Sequence, residues 1–246
     1  MKKKIWIITL FPDYFQGFLS QGIVGSTLRN ERSTSEQEFE VNMVDLKNFS
    51  PKSFKGVDDA PFGGGAGMVM RADVMKLALM DGVVKAGNYQ SLSDLHVVCP
   101  APRGATWTNN EAKKFAADYL NFETKKDIVF ICGRYEGIDE RFLVTYVNQF
   151  ISIGNFILTG GEIAVMTILD SSLRFVSGVL GNKLSSVDES FENSSLEYPL
   201  YTRPREFDGI TVPEELLSGH HLKIEAYKTR LKAEMTKNYR PDLIGE

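Results

Sequence analysis

Three apolar runs in this chain end in loops whose residue types can hold a small polar ligand. Ile128-Val129-Phe130-Ile131 leads into Cys132-Gly133-Arg134-Tyr135-Glu136-Gly137. Phe150-Ile151-Ser152-Ile153 leads into Gly154-Asn155-Phe156-Ile157-Leu158-Thr159-Gly160-Gly161-Glu162. His96-Val97-Val98-Cys99 leads into Pro100-Ala101-Pro102-Arg103-Gly104. Backbone N–H and C=O groups at the carboxyl ends of strands are free to bind ligand. Glycine lets the backbone approach a ligand closely or take positive φ. The pattern is that of a ligand pocket at strand ends, compatible with many nucleotides.

Further candidates lie outside these loops. Val57-Asp58-Asp59-Ala60-Pro61-Phe62-Gly63-Gly64-Gly65-Ala66-Gly67-Met68 is too glycine-rich for a packed helix or strand. It is either a flexible turn or a functional loop carrying Asp58 and Asp59. It is not a P-loop, because no Gly-Lys-Ser/Thr follows, and not G-x-G-x-x-G, because Met68 takes the last glycine place. Arg174 falls near the end of a helical pattern, where a cation complements the helix dipole. Asp188 and Glu189 sit in a serine-rich acidic stretch and read as solvated spacers. Between His220 and Arg240, Lys223, Lys228, Arg230, Lys232, Lys237 and Arg240 face only Glu225 and Glu234. That basic stripe is either a phosphate-contact surface or an ordinary solvated face.

The elements that must position these residues alternate. Ile5–Leu10 reads as a buried strand, and Pro12 opens a helix with Phe15, Phe18 and Leu19 on one face. Gly22 and Gly25 bracket a loop, with one more helical turn over Val24–Leu28. Residues 30–37 are a polar loop, and Phe39–Val44 alternates as a half-buried strand. A helix is expected over Val74–Val84, and Asn109 or Asn110 caps another through Phe115 and Leu120. The last helical pattern of this part runs from Glu162 to Val176. Strand–helix alternation predicts an α/β domain with a mostly parallel sheet, ending near Gly181. Residues 182–197 read as a flexible acidic linker. Residues 198–246 form a small helical unit, with a short helix from Pro213 and a longer one around Leu222–Met235.

With 246 residues, 43% of them hydrophobic and 24% charged, the chain has the composition of a globular protein. Its formal net charge of −4 gives no global sign of nucleic-acid binding, so local charge must carry that claim. Two cysteines, Cys99 and Cys132, are too few for a disulfide framework or a four-ligand zinc site. Each is expected as a buried or pocket-edge thiol. Lys2-Lys3-Lys4 followed by Ile5–Phe11 only briefly resembles a signal peptide, since Pro12-Asp13 ends the apolar run. No run approaches membrane-spanning length. A cytoplasmic protein with no membrane partner is expected.

Five motifs occur in order: Val57-Asp-Asp-x-Pro-Phe-Gly-Gly-Gly-x-Gly-Met68, Cys132-Gly-Arg-Tyr-Glu-Gly-Ile-Asp-Glu-Arg141, Ser152-Ile-Gly-Asn-Phe-Ile-Leu-Thr-Gly-Gly-Glu162, Gly178-Val-Leu-Gly181 and Tyr198-Pro-Leu-Tyr-Thr-Arg-Pro204. Together they closely resemble the bacterial tRNA (guanine-N1)-methyltransferases that modify the guanine 3′ to the anticodon, position 37. The resemblance runs from Leu10-Phe11-Pro12 to Leu217-Ser218-Gly219. It implies a SPOUT-class α/β domain with a deep trefoil knot that binds S-adenosylmethionine, and a small α-helical C-terminal domain that helps bind tRNA. It also implies a homodimer with active sites at the subunit interface. Bottom-up rules alone argue against a knot. By resemblance, Pro102, Gly133, Tyr135, Ile153, Gly154, Asn155, Phe156, Ile157, Leu158 and Gly160 line the methyl-donor pocket. Asp58 and Glu136 approach the target guanine, and Arg174 matches the family's catalytic arginine.

The family's general base is an aspartate in an Asp-Ser-Phe motif, which here reads Asp188-Glu189-Ser190-Phe191. Glu189 therefore takes the base position, with Asp188 beside it. Asn155, Phe156 and Ala164 stand where the family more often has Asp, Tyr and Pro. Guanine N1 is protonated at neutral pH, so its methylation needs a carboxylate base and a cation near O6. The linker base is expected to be ordered by tRNA, with the target base leaving its stack. No metal ligand set is read, and a Mg²⁺ dependence is compatible with the chemistry but not specified by residue type. Two readings compete: a catalytically silent RNA-binding protein using the basic terminal helix, and a nucleotide-dependent oxidoreductase. The missing G-x-G-x-x-G after the first strand counts against the latter.

Overall fold

The computed structural model describes residues 2–32, 38–51, 56–121, 123–180 and 189–245. Two compact units divide between Gly181 and Asn182. The first is built on five parallel strands: β1 (Lys2–Thr9), β2 (Glu38–Asp45), β5 (Leu95–Thr106), β6 (Asp127–Ile131) and β7 (Gln149–Ser152), in the order β2-β1-β6-β5-β7. A two-stranded antiparallel ribbon, β3 (Asp58–Asp59) with β4 (Val69–Met70), carries the glycine-rich stretch between its strands.

The strands read as apolar runs because both faces of the sheet are covered. Ile5 and Ile7 of β1 and Ile128 and Phe130 of β6 enter one core. Their neighbours Trp6, Ile8, Val129 and Ile131 enter the other. This is the period-two alternation of a strand with apolar residues on both sides. On the first face pack α1 (Gln16–Ser20), α2 (Gly22–Leu28), α4 (Asn109–Phe115) and α6 (Glu162–Leu173), through residues such as Val24, Phe115, Ile168 and Leu169. On the second pack α3 (Ala72–Leu79) and α5 (Glu140–Tyr146), through Val74, Met75, Phe142 and Leu143.

Several local expectations are corrected. Gly22 and Gly25 do not bracket a loop: α2 spans both, and Gly22 enters it with φ +68. The helix cap before α4 is Thr108, whose side chain accepts from the Glu111 N–H, rather than Asn109 or Asn110. Strand β5 does not stop at Cys99. It continues through Pro100–Gly104 to Thr106, with a register shift against β7 between Pro100 and Ala105. Prolines are tolerated there because a bulge relieves the ladder. The helices beginning at α3 and α4 each finish in a π-helical turn, Met80–Lys85 and Ala116–Leu120.

The second unit contains a hairpin, β8 (Glu206–Phe207) with β9 (Ile210–Thr211), and two helices, α7 (Glu214–Leu217) and α8 (His221–Tyr239). Asp208 and Gly209 turn the hairpin with φ +50 and +78, the pairing that a two-residue turn between antiparallel strands requires. Leu196 donates its N–H to Thr236 of α8 at 2.9 Å, and Lys228 and Lys232 lie 5.0 and 5.9 Å from the Tyr198 ring centre. The basic stripe is partly neutralised within the unit. Lys228 pairs with Glu225 at 3.0 Å, Arg230 with Glu234 at 3.8 Å and Arg240 with Asp242 at 2.8 Å.

Candidate functional site: a strand-end pocket in the parallel sheet

Strands β6, β5 and β7 are neighbours, so the segments at their carboxyl ends converge. They enclose a cavity of about 640 Å³. That volume falls in the range of small-molecule sites. Of the ten residues expected in a donor pocket, Pro102, Gly133, Tyr135, Ile153, Gly154, Phe156, Ile157, Leu158 and Gly160 line it. The tenth, Asn155, is exposed and stands outside the lining. Glu136 also lines the cavity, whereas Asp58 does not.

Close backbone packing explains where glycine is needed. A Cβ on Gly104 would lie 2.4 Å from the Ile151 nitrogen and 2.5 Å from the Phe150 carbonyl carbon, so the β5 bulge rests directly on β7. A Cβ on Gly161 would lie 2.9 Å from the Cys132 Cα, and the Gly161 N–H donates to the Gly133 carbonyl at 2.9 Å. The loop after β7 is thus laid against the loop after β6.

The β3–β4 ribbon is fastened to the same place. Glu136 donates its N–H to the Met68 carbonyl at 3.0 Å, Met70 donates to Gly137 at 2.9 Å, and Asp139 donates to Met70 at 3.0 Å. Gly67, at φ +86, leaves room for the Glu136 side chain, which a Cβ would meet at 2.5 Å. Burial pushes the Tyr135 phenol above its ordinary value, and the Asp58 carboxylate beside it pushes further in the same direction. Asp58 and Glu136, the two residues expected near a target base, therefore both adjoin the Tyr135 loop.

A buried ion pair lies behind the loops. Glu162, 1% exposed, pairs with Arg134 at 2.9 Å and accepts from the Thr9 hydroxyl at 2.7 Å. Removing either charged partner alone would strand the other, at a cost of roughly 3–5 kcal/mol. Cys132 is fully buried beside this pair. Burial first, then the Glu162 charge, push its thiol well above the ordinary value. Burial also raises Cys99, to about 12. Sequence reasoning named Arg103, Arg134 and Glu162 within the strand-end loops but gave them no role, and it missed the Arg103–Glu140 pair at 2.8 Å, whose residues line the cavity. The available signal was charge inside glycine loops, which types alone cannot separate from solvated charge.

The expected catalytic residues are Arg174, Glu189 and Asp188. Arg174 caps the C-terminus of α6, half-buried, with its guanidinium 5.9 Å from the Phe175 ring centre. It is not part of the cavity lining. Glu189 belongs to the second unit and Asp188 lies outside the described residues. Past Glu189 the backbone is unusual: Phe191, Asn193 and Ser194 all have positive φ, at +75, +50 and +55. Such conformations cost about 1–3 kcal/mol each in non-glycine residues and gather at functional sites. Among the described residues, no group of three or more His, Cys, Asp or Glu side chains could hold a metal, and no helix is long and apolar enough to cross a membrane.

Fold and pocket together define an α/β protein with a ligand site at the carboxyl ends of a parallel sheet, consistent with the SPOUT class. The family model described as tRNA (Guanine-1)-methyltransferase TrmD matches residues 3–246. The chain belongs to that family, a methyltransferase family. It is 42% identical over 243 residues to a tRNA (guanine-N(1)-)-methyltransferase of Pelotomaculum thermopropionicum, covering 99% of this chain and 90% of the relative. Identity to the protein of that name from Lachnospira eligens is 41% over 240 residues, covering 98% and 94%. For Staphylococcus aureus strain JH9 it is 39% over 242 residues, covering 98% and 90%.

Proposed function

We infer that this chain transfers a methyl group from S-adenosylmethionine to N1 of guanine in tRNA, at position 37 beside the anticodon. The observation that carries the reading is the family match across essentially the whole chain, 39–42% identical to relatives bearing that name. The pocket suits the donor. Its walls are mostly apolar, with loop backbone groups and glycines where a close-fitting ligand needs room. S-adenosylmethionine, when bound, supplies an electrophilic methyl on its sulfonium.

The protein's own part is to position, to take a proton and to stabilise charge. Gly133, Tyr135, Ile153, Gly154, Phe156, Leu158 and Gly160 hold the donor, largely by backbone. Asp58 and Glu136 hold the guanine. Glu189, or Asp188 beside it, removes the N1 proton, and Arg174 stabilises the charge that builds on O6. The left-handed backbone that begins at Phe191, two residues after Glu189, supports a role for that motif beyond spacing.

The same reading makes the protein a cytoplasmic homodimer with its β5–β7 loops threaded as a deep trefoil knot, and residues 198–246 a tRNA-binding unit. Exposed Phe156 and Ile157 at the cavity, at 55% and 80%, support a second copy covering that face. The seating of Gly104 on Ile151 supports tight packing of the threaded segments. Calorimetry with S-adenosylmethionine and with tRNA tests the assignment. Saturable binding of both is expected. Binding of tRNA alone would mark a silent RNA-binding protein and overturn it.

A further inference from the structure

The Arg134 side chain reaches the loop after β7, the start of α6 and the segment just past β1. Its Nη1 donates to the Thr159 carbonyl at 3.2 Å, in the loop after β7. Its Nε donates to Glu162 Oε1 at 3.2 Å, and its Nη2 lies 2.9 Å from Glu162 Oε2, at the start of α6. Its guanidinium lies 4.4 Å from the Phe11 ring centre, just past β1. Its backbone N–H points to the Met70 sulfur at 3.1 Å, in β4. Glu162 is held in turn by the Thr9 hydroxyl, which also accepts from the Phe11 N–H at 3.0 Å. Gly160 completes the fit: a Cβ there would stand 2.2 Å from Arg134 Nε.

We propose that Arg134 is a positioning residue that fixes the loop after β7 against the loop after β6, and so sets the width of the methyl-donor pocket. The proposal rests on the reading of that pocket as the S-adenosylmethionine site. Arg134 itself carries no chemistry. A planar guanidinium can satisfy a carboxylate and a carbonyl at once, and stack on a ring, in one fixed geometry. An ammonium is a point charge. It can neutralise Glu162, but it cannot also hold Thr159 in the same plane. Charge balance and loop spacing are therefore separable by substitution.

The test uses full-length Arg134→Lys, with the double variant Arg134→Ala/Glu162→Gln, which leaves no stranded charge should the first fail to fold. S-adenosylmethionine affinity is measured by calorimetry, tRNA affinity by filter binding, steady-state KM and kcat by methyl transfer, and folding by thermal melting. The expected result is a folded protein with donor Kd and KM raised about ten-fold, the equivalent of one lost charge-assisted hydrogen bond. Turnover at saturating donor and tRNA affinity stay near wild type. A role in general stability would instead lower melting temperature and affect both ligands alike. Wild-type donor affinity in a folded variant would overturn the proposal alone. A wild-type protein that binds no S-adenosylmethionine would overturn the donor-site reading and this proposal with it.

Discussion

Gly104→Ala is the sharpest test of how the pocket is built. The added Cβ would sit 2.4–2.5 Å from backbone atoms of Phe150 and Ile151. Ordinary contact begins near 3.4 Å, so β5 and β7 must part by about 1 Å. No flexible side chain is available to yield, because the atoms met are main chain. Overpacking of this kind costs about 1–3 kcal/mol. In a domain of this size that lowers the melting temperature by roughly 3–10 °C. The bulge also carries Pro102 and Arg103 into the cavity wall. A displacement of about 1 Å there should slow methyl transfer by up to ~100-fold. The assay is thermal melting by circular dichroism alongside methyl transfer, with Gly17→Ala as control. A Cβ on Gly17 in α1 meets nothing within 4 Å, and alanine is the better helix former, so that variant should melt at or above wild type. If Gly104→Ala melts and turns over like wild type, the direct seating of β5 on β7 is refuted.

Four further outcomes are expected. Arg174→Ala should keep donor binding by calorimetry while turnover falls by at least about 100-fold, and near-wild-type turnover would remove it from the chemistry. Glu189→Gln and Asp188→Asn, measured separately, should show the larger loss for Glu189, and the idea of a base in this motif fails if neither slows the reaction. Cys99 and Cys132 should resist thiol reagents in the folded protein at mildly alkaline pH, and both should react in denaturant. Because burial raises both thiols above their unfolded values, the unfolded state loses these protons first. Stability should therefore fall as pH rises above about 9 toward 12, read as a falling urea midpoint.

The parallel sheet was legible because strands buried on both faces have nowhere to place polar residues. Ile5–Ile8 and Ile128–Ile131 are such runs. The pocket was legible for the complementary reason: glycines after such runs mark backbone that something must approach. The path of β5 was not, since Pro100 and Pro102 argue locally for a loop and only the bulge against β7 lets the strand continue. The cap of α4 was misplaced by one or two residues because Thr108, Asn109 and Asn110 are all good caps, and only geometry decides among them. The Arg134–Glu162 pair was hidden for a different reason. Its meaning depends on the 1% exposure of Glu162, and burial of a charge is a property of what packs over it rather than of its neighbours in sequence. The roles proposed for Glu189 and Arg174 rest only on family resemblance. By residue type alone one is a spacer and the other a helix-end cation.

Methyl transfer to guanine N1 at position 37 can be read from the mass of a tRNA transcript incubated with the protein, with and without S-adenosylmethionine, followed by mapping of the modified nucleotide. A donor-dependent gain of one methyl group is expected, located at the guanine 3′ to the anticodon and lost when that guanine is replaced by adenine. An unchanged mass with a protein that binds both ligands, or a methyl group at any other position, would contradict it.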